Sequence, residues 1–573
     1  MRLLRGWMAR HTPPDLDGFH TGVSLAARAA TLTVISRATP SAPSRASGKS
    51  SKPKLGLRAW MERVLVECDR AGAGFEADPV HDLRVALRRC RSLADGLMAL
   101  DSDPSWKEMK KAGRKLFRAL GELRDMQVMQ EWIEKLEPSG KGSDKDANKP
   151  ASDPVAQMLL RHVHAREAEC KQLAWKDLEQ FDRKRWRQLS RTLPRRAARV
   201  RPGSLVYQHL ALEKWTAAYE LHKRAMQTRS QVSLHELRIG IKRFRYTVEN
   251  FLPQQHARWG NDLKELQDLL GEVHDLDVLW ATALAVQAFS DISPGRPSDR
   301  AADLLPNKDS RKRWREKLNQ ERAKRIERYR ELMIGKESLW RVWRAELPSG
   351  PQLRVAAMSR LRVWSGYLDP DFAHSQRVAQ LALQLHEGLV RVGLLGGGPS
   401  SGTRTGNRPE TRDILQAAAF MHDVGKTKGQ AGHQKKSYRM IRKLERPLGW
   451  SARELELAAV VARYHRGALP RPQAAAMQAL DLPDRHLAMQ LAGILRLANA
   501  LDPHLDPQNG AAPKIEVELR DRIVRVHSAG YSPLDRSAES VAAARHLLET
   551  VLRLPVMVKP LRPASTRIRA ATR

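Results

Sequence analysis

Two stretches of this chain, His81-Asp82-Leu83-Arg84-Val85-Ala86-Leu87-Arg88-Arg89-Cys90-Arg91 and His235-Glu236-Leu237-Arg238-Ile239-Gly240-Ile241-Lys242-Arg243-Phe244-Arg245, share one pattern at an offset of 235 − 81 = 154 residues. A motif written twice in the same register demands two copies of one structural unit, which restricts the fold more than any other feature here. On a helix turning about 100° per residue, His81, Arg84, Arg88 and Arg91 fall within roughly 80°, while Leu83 and Leu87 point elsewhere. His235, Arg238, Lys242 and Arg245 occupy the same offsets. Each copy predicts a helix with one face occupied by a strip of positive charge.

The repetition continues. Leu120-Gly121-Glu122-Leu123-Arg124-Asp125-Met126-Gln127-Val128 pairs with Leu270-Gly271-Glu272-Val273-His274-Asp275-Leu276-Asp277-Val278 at an offset of 150, so a short indel lies between the motifs. Trp186 with Leu193-Pro194 pairs with Trp340 and Leu347-Pro348, again 154 on. Helical spacing begins at Leu57, and helices are expected over Lys111 to Met129 and from Arg161 onward. Pro138 to Asp153 and Pro294 to Lys308 read as exposed connections. The expectation for residues 57–347 is two copies of a multi-helix bundle packed together.

Charge narrows the partner. The 573 residues carry a formal net charge of +36, which calls for a polyanion: nucleic acid, a polyphosphate or an anionic surface. Two basic strips side by side with little acid between them are costly unless an anion neutralises them. A phosphate chain has no bases, so its receptor needs spaced guanidinium and ammonium groups and no stacking platform. Nucleic acid would gain from interleaved aromatics, and the strips offer only Phe244 and Tyr246. Three cysteines, Cys68, Cys90 and Cys170, argue for a reducing compartment, hence the cytoplasm. Residues 1–56 read as a basic, disordered leader, without a secretory signal because Arg28 interrupts the apolar run from Val23 to Ile35. No run of about 18 apolar residues is present, so no membrane span is expected.

The paired His-x-x-Arg-x-x-x-(Arg/Lys)-Arg-x-Arg helices, each followed by a Leu-Gly-x-x-(Arg/His)-Asp-x-x-Val segment, resemble the CHAD domain, the conserved-histidine α-helical domain. The resemblance implies a duplicated helical bundle with a basic central groove that binds inorganic polyphosphate. The binding residues it implies are His81, Arg84, Arg88, Arg89 and Arg91 with His235, Arg238, Lys242, Arg243 and Arg245, joined by Arg114 and Lys264. The two copies differ at Arg124 against His274 and at Gln127 against Asp277.

After Pro348 polar residues appear on apolar helix faces: His374 with Val378, Leu381 and Leu385, and His422 with Leu415 and Ala418. His465 follows Ala458 and Val461, and Asp502 follows Leu491, Leu495 and Ala498. Such groups need buried partners. The ordered series His374, His422-Asp423, Asp502 resembles the HD superfamily of metal-dependent phosphohydrolases. With His433 and His465 it is most similar to the C-terminal HD-like region of the exopolyphosphatase/guanosine-pentaphosphate phosphatases. The actin-like catalytic domain of those enzymes has no counterpart here. The resemblance implies that His374, His422, Asp423 and Asp502 hold a divalent ion (Mn, Mg, Fe or Zn). His433 and His465 would serve a second ion or the phosphate. Lys426, Lys435 and Arg466 would stabilise substrate charge, with His422, Asp423 and Lys426 as the catalytic set. The Gly396 to Asn407 run lacks the Gly-Lys-Ser/Thr ending of a phosphate-binding loop.

The expected fold class is therefore mainly α: a duplicated bundle (57–347), an HD-like metal-binding helical domain (348–510) and a small α/β appendage with a basic tail (511–573). In the appendage, strands are expected at Lys514 to Leu519, Arg522 to Val526 and Val556 to Lys559, with a helix at Ser537 to Leu552. The leading functional expectation is polyphosphate binding coupled to metal-dependent hydrolysis of polyphosphate or a phosphorylated nucleotide. The rivals are a non-enzymatic scaffold or sensor at polyphosphate granules and a nucleic-acid-binding regulator. Composition and motifs leave the oligomeric state open.

Overall fold

Helix boundaries repeat along with the sequence. The computed structural model describes residues 56–137, 153–289, 306–395, 409–502, 514–529, 531–535 and 538–561. The first copy comprises α1 (Leu57–Ala71), α2 (Ala77–Leu97), α3 (Pro104–Ala112), α4 (Arg114–Leu136), α5 (Pro154–Glu179) and α6 (Arg183–Ala197). The second comprises α7 (Leu205–Thr228), α8 (Gln231–Phe251), α9 (Pro253–Ala285), α10 (Lys308–Met333) and α11 (Leu339–Ala345). Both ends of α2 and α8 are 154 residues apart, and so are both ends of α5 and α10. The indel falls just after the strip helix, where residues 98–103 separate α2 from α3 but Leu252 alone separates α8 from α9.

Two boundaries differ from the sequence expectation, each for a local reason. The helix expected from Lys111 to Met129 is two helices with Gly113 between them. A Cβ at Gly113 would lie 3.1 Å from Leu87 and 3.6 Å from Trp186, so the break lets the chain pass between those side chains. The helix expected from Arg161 begins at Pro154, where the Asp153 carboxylate accepts from the Val155 amide at 2.9 Å and proline occupies the first turn.

Behind the strips, Leu83, Leu87, Leu237, Ile241 and Phe244 are buried in one core shared by both copies. Each such side chain stabilises by about 2 kcal/mol. A smaller core joins the distal ends of the long helices, with Trp132 and Ile133 against Leu276, Leu279 and Trp314.

The second half runs through α12 (Gly350–Leu368), α13 (Phe372–Arg391), α14 (Pro409–Met421), a 3-10 turn (Val424–Lys428), α15 (His433–Ile441), α16 (Ala452–Arg463), α17 (Ala475–Gln478) and α18 (Leu482–Leu501). The appendage follows as β1 (Ile515–Arg520), β2 (Ile523–Ser528), α19 (Ala538–Leu552) and β3 (Val556–Pro560), within about two residues of the expected bounds. The sheet order is β1-β2-β3, with β1 antiparallel and β3 parallel to β2. The appendage shares the core of the preceding helices: Val517 sits where a Cβ on Gly388 would be, 2.5 Å away.

The halves are joined by buried polar contacts. Arg360 of α12 forms an ion pair with Glu213 of α7, and His209 of α7 meets the Leu448 carbonyl at 3.0 Å. The Tyr367 hydroxyl donates to the Arg196 carbonyl at 2.8 Å. All three cysteines are buried as free thiols. No described helix is long and apolar enough to cross a membrane. All of the leader (1–56) but Gly56, most of the Pro138 and Pro294 connections, the Gly396 run and the basic tail lie outside the described residues.

Candidate functional site

The basic strips of α2 and α8 converge on one groove. Arg88 of the first copy and Lys242 of the second stand over the same ring, Tyr246, at 6.0 and 5.9 Å from its centre. Arg84 leans onto α4, 5.8 Å from the Phe117 ring centre and 3.5 Å from the Leu120 carbonyl. It uses space that a Cβ on Gly121 would contest at 3.1 Å, a physical reason for glycine in that motif. Arg91 covers Phe117 at 5.0 Å and donates to the Lys110 carbonyl at 2.9 Å.

Crowding of like charge is visible in the protonation equilibria. Burial, then Arg238, Arg88 and Arg84, pull the Lys242 ammonium down to about 8. Burial, then Arg238, His235 and Lys242, push His274 down to about 3, and burial with Arg238 lowers His235. Two carboxylates at equivalent positions, Asp125 and Asp275, lie among these cations. Enclosure by the helices raises both, Asp275 to about 6, against the pull of Arg84 and Arg238. The Nε atoms of Arg88 and Arg238 are buried without a hydrogen-bond partner among the described residues. An enclosed cationic row with unused donors is chemically suited to an anion.

Not every residue expected at this site joins it equally. His81, Arg114, Arg243 and Lys264 are exposed, and Lys264 pairs with Asp268 at 3.5 Å. Arg245 is half-buried and acts on Glu249. Arg89 is turned toward Glu249 at 2.6 Å and stands over Trp60 at 5.6 Å, away from the groove. The expectation singled out no acidic residue. Asp125 and Asp275 occupy the same place in the duplicated Leu-Gly motif, and that shared aspartate is the signal that could have found them. Phe244 is core, and Phe117 and Tyr246 are covered by cations, so neither strip presents an open aromatic face.

The second site is built around Asp423. Its Oδ2 lies 3.2 Å from His422 Nε2 and 3.8 Å from His374 Nε2, and its Oδ1 lies 3.0 Å from His433 Nε2 and 3.7 Å from His465 Nε2. His422, His433 and His465 each turn Nδ1 to a carbonyl three residues earlier, Ala419, Gln430 and Ala462, at 2.7, 2.9 and 2.8 Å. That places the proton on Nδ1 and aims three Nε2 lone pairs at a carboxylate. Burial pushes His433 and His465 below the ordinary imidazole range, so protonation does not relieve the cluster. Burial alone would raise Asp423, but the positive charge beside it, with the Lys426 ammonium paired to its Oδ2, holds it below the usual carboxylate range. His422 Nε2 and Asp423 Oδ1 have no hydrogen-bond partner among the described residues.

These donor atoms form two groups that could each hold a metal ion and that share Asp423: His374, His422, Asp423 and Asp423, His433, His465. Metal bonds of about 2.1 Å at 90–109° separate neighbouring ligand atoms by about 3.0–3.4 Å; the 3.2 and 3.0 Å gaps of His422 and His433 to Asp423 fall in that range, and the 3.8 and 3.7 Å gaps of His374 and His465 lie a few tenths of an ångström beyond it. The donor set therefore fits a divalent ion. Asp502, expected as the fourth ligand, lies outside both groups. Arg377 engages it at 2.7 and 2.9 Å, and it meets His374 Nδ1 at 2.6 Å. Its carboxylate thus lies on the Nδ1 side of His374. Lys426 pairs with Asp423 at the mouth, whereas Lys435 and Arg466 are exposed nearby on the chain. Arg377 and Asn499, the latter 3.1 Å from His374 Nε2, carry no spacing signal in the sequence.

The tight turn after Asp423 explains Gly425. A Cβ there would lie 2.2 Å from the His433 carbonyl and 2.6 Å from the Ser437 amide. Its own amide donates to Ser437 Oγ at 2.9 Å, and that hydroxyl donates to the His422 carbonyl at 2.7 Å. One serine thereby fastens His422 to the helix carrying His433.

Comparison with known proteins follows the same division. The CHAD domain family matches residues 57–284, and the family described as Ppx/GppA phosphatase, domain III, matches residues 365–529. A solved CHAD domain from the plant Ricinus communis is similar at 19% identity, covering 50% of this chain and 88% of that one with a TM-score of 0.31. No curated protein matches the chain. The chain thus carries a CHAD domain followed by a domain of the Ppx/GppA domain III family.

Proposed function

We propose that the protein binds inorganic polyphosphate in the α2/α8 groove and hydrolyses phosphoanhydride or phosphate-ester bonds at the Asp423 cluster. The observation that carries the binding half is the meeting of Arg84, Arg88, Arg238 and Lys242 in one enclosed row. A flexible chain with about one charge per phosphate fits such a row, and tethering it raises its concentration at the second site. Covered aromatic faces favour phosphate over nucleobase recognition.

In the hydrolytic half, His374, His422 and Asp423 would hold one divalent ion, and Asp423, His433 and His465 a second. Such an ion supplies Lewis-acid charge that neutralises a phosphoryl group and activates water. The chain's own part is positional. Asp502 fixes His374, and three backbone carbonyls fix the tautomers of the other imidazoles. Lys426, one-fifth exposed, faces outward from Asp423 to meet a phosphate oxygen, with Lys435 and Arg466 adding positive charge outside.

Purified full-length protein incubated with polyphosphate, nucleotides or guanosine tetraphosphate, each with Mn, Mg, Fe or Zn, should release phosphate or pyrophosphate. His422→Ala should abolish it. A folded parent that releases nothing with any of these ions would leave the second domain without the proposed activity.

A further inference from the structure

The outer face of α6 is a second row of cations, separate from the groove. Trp186, Leu189 and Leu193 are buried on one side of this helix. At about 100° per residue, Lys184, Arg187, Arg191 and Arg195 lie within roughly 80° on the opposite side, and all four are exposed. The acids near α6 are spent on its flanks. Arg183 pairs with Asp69, Arg185 with Glu108, and Arg196 with Asp101 and Asp103. Among the described residues these are the ion pairs of α6, and none reaches the ridge.

The duplicated fold does not require the ridge. The equivalents of Trp186, Leu193 and Pro194 return in the second copy as Trp340, Leu347 and Pro348. At the same offset of 154, Lys184, Arg191 and Arg195 are replaced by Ser338, Ala345 and Ser349, and only Arg187 keeps its charge as Arg341. Packing repeats while the charge does not.

The ends of α6 lie against elements of both domains. Near its start, Trp186 and Leu87 of strip helix α2 both border Gly113. Beyond its end, Arg199 stands over Tyr367 at 5.4 Å, and the Tyr367 hydroxyl bonds the Arg196 carbonyl. Tyr367 belongs to α12, one residue from its end, just before α13 and His374.

We infer that the ridge Lys184–Arg187–Arg191–Arg195 is a track for inorganic polyphosphate that has left the groove, guiding its free length toward the Asp423 domain. This rests on the groove reading above. Lys184 to Arg195 spans about 16 Å of helix, so the track adds contacts only for chains long enough to extend past the groove. Exposed guanidinium groups suit a mobile chain, since each holds a phosphate reversibly and water screens the rest.

The test compares the full-length parent with Lys184→Gln/Arg187→Gln/Arg191→Gln/Arg195→Gln, using polyphosphates of about 10 and about 100 phosphates over a salt series. The longer chain should bind the variant about tenfold more weakly at physiological salt, with the logarithmic salt slope reduced by about 3, that is four cations at about 0.7 each. The shorter chain should bind as it does to the parent. Arg191 in the parent should be shielded from an arginine-selective reagent by the longer chain only. Equal binding of both lengths to both proteins, or loss of single-stranded nucleic acid binding with long polyphosphate unaffected, would overturn the track. An Arg88→Gln/Arg238→Gln protein separates the two readings: if it keeps short-chain affinity, the groove assignment itself is wrong.

Discussion

His433 and His465 face one another Nε2 to Nε2 at 3.3 Å, each with its Nδ1 bonded to the carbonyl three residues before it. Two lone pairs held at that distance beside a carboxylate repel unless a cation lies among them. Elemental analysis of the purified parent is expected to find divalent metal, and Asp423→Asn, which alters the residue common to both ligand groups, is expected to hold none. Metal at 100 times its dissociation constant would add about 2.7 kcal/mol, so chelation should lower the melting temperature of the parent by a few degrees and leave Asp423→Asn unmoved.

In the groove, removal of one partner should separate binding from stability. Arg88→Ala and Arg238→Ala each delete a charge-assisted phosphate contact worth about 1.5–3 kcal/mol, a loss of roughly 10- to 100-fold in polyphosphate affinity by titration calorimetry. Among the described residues Arg88 makes no ion pair that its removal would leave broken, and its Nε is already unpartnered, so the thermal stability of Arg88→Ala without ligand should be unchanged or slightly higher; Arg238→Ala also removes the charge that offsets the enclosure of Asp125 and Asp275 and should be the less stable of the two.

Lys242 links binding to pH. Its ammonium, near 10.5 in an unfolded chain, is pulled down to about 8 by burial and by Arg238, Arg88 and Arg84. Between those values the unfolded chain binds more protons, so this group makes stability rise with pH from about 8 toward 10.5. A polyanion in the groove reverses the cause, restoring the charged form. Binding at pH 8.5 should take up a proton and weaken as pH rises through the window. Calorimetry in buffers of different ionisation enthalpy measures the uptake, which should disappear in Lys242→Met.

Two glycines should respond oppositely to alanine. At Gly425 the new Cβ would meet backbone atoms at 2.2 and 2.6 Å, and the turn that carries Asp423 must move. Chemical denaturation should show a loss of about 2–4 kcal/mol together with loss of bound metal. At Gly271, inside α9, nothing lies within 4 Å of the added methyl, and Gly271→Ala should stabilise by about 0.5–1 kcal/mol.

The junction should be sensitive as well. Arg360→Ala would leave Glu213 enclosed beside His209 without its counter-charge, at a cost of about 3–5 kcal/mol. Limited proteolysis should then cut the linker before α12 faster than in the parent.

Periodicity and repetition alone determined a great deal. The 154-residue offset established two helical copies because a helix face is written directly in the spacing of its residues. The same arithmetic placed Arg84, Arg88, Arg238 and Lys242 on strips, and polar groups on apolar helix faces at His374 and His422-Asp423 pointed to the second cluster. Spacing says which way a side chain points from its own helix, but nothing about which other helix it meets. Hence only the tertiary structure decided that the strips share Tyr246, that Asp125 and Asp275 lie among the cations, and that Arg89 belongs to Glu249. For the same reason Asp502 read as a ligand from its place in the series, while packing set Arg377 and His374 around it. Contacts between residues more than a hundred positions apart depend on how helices cross, which no local pattern encodes.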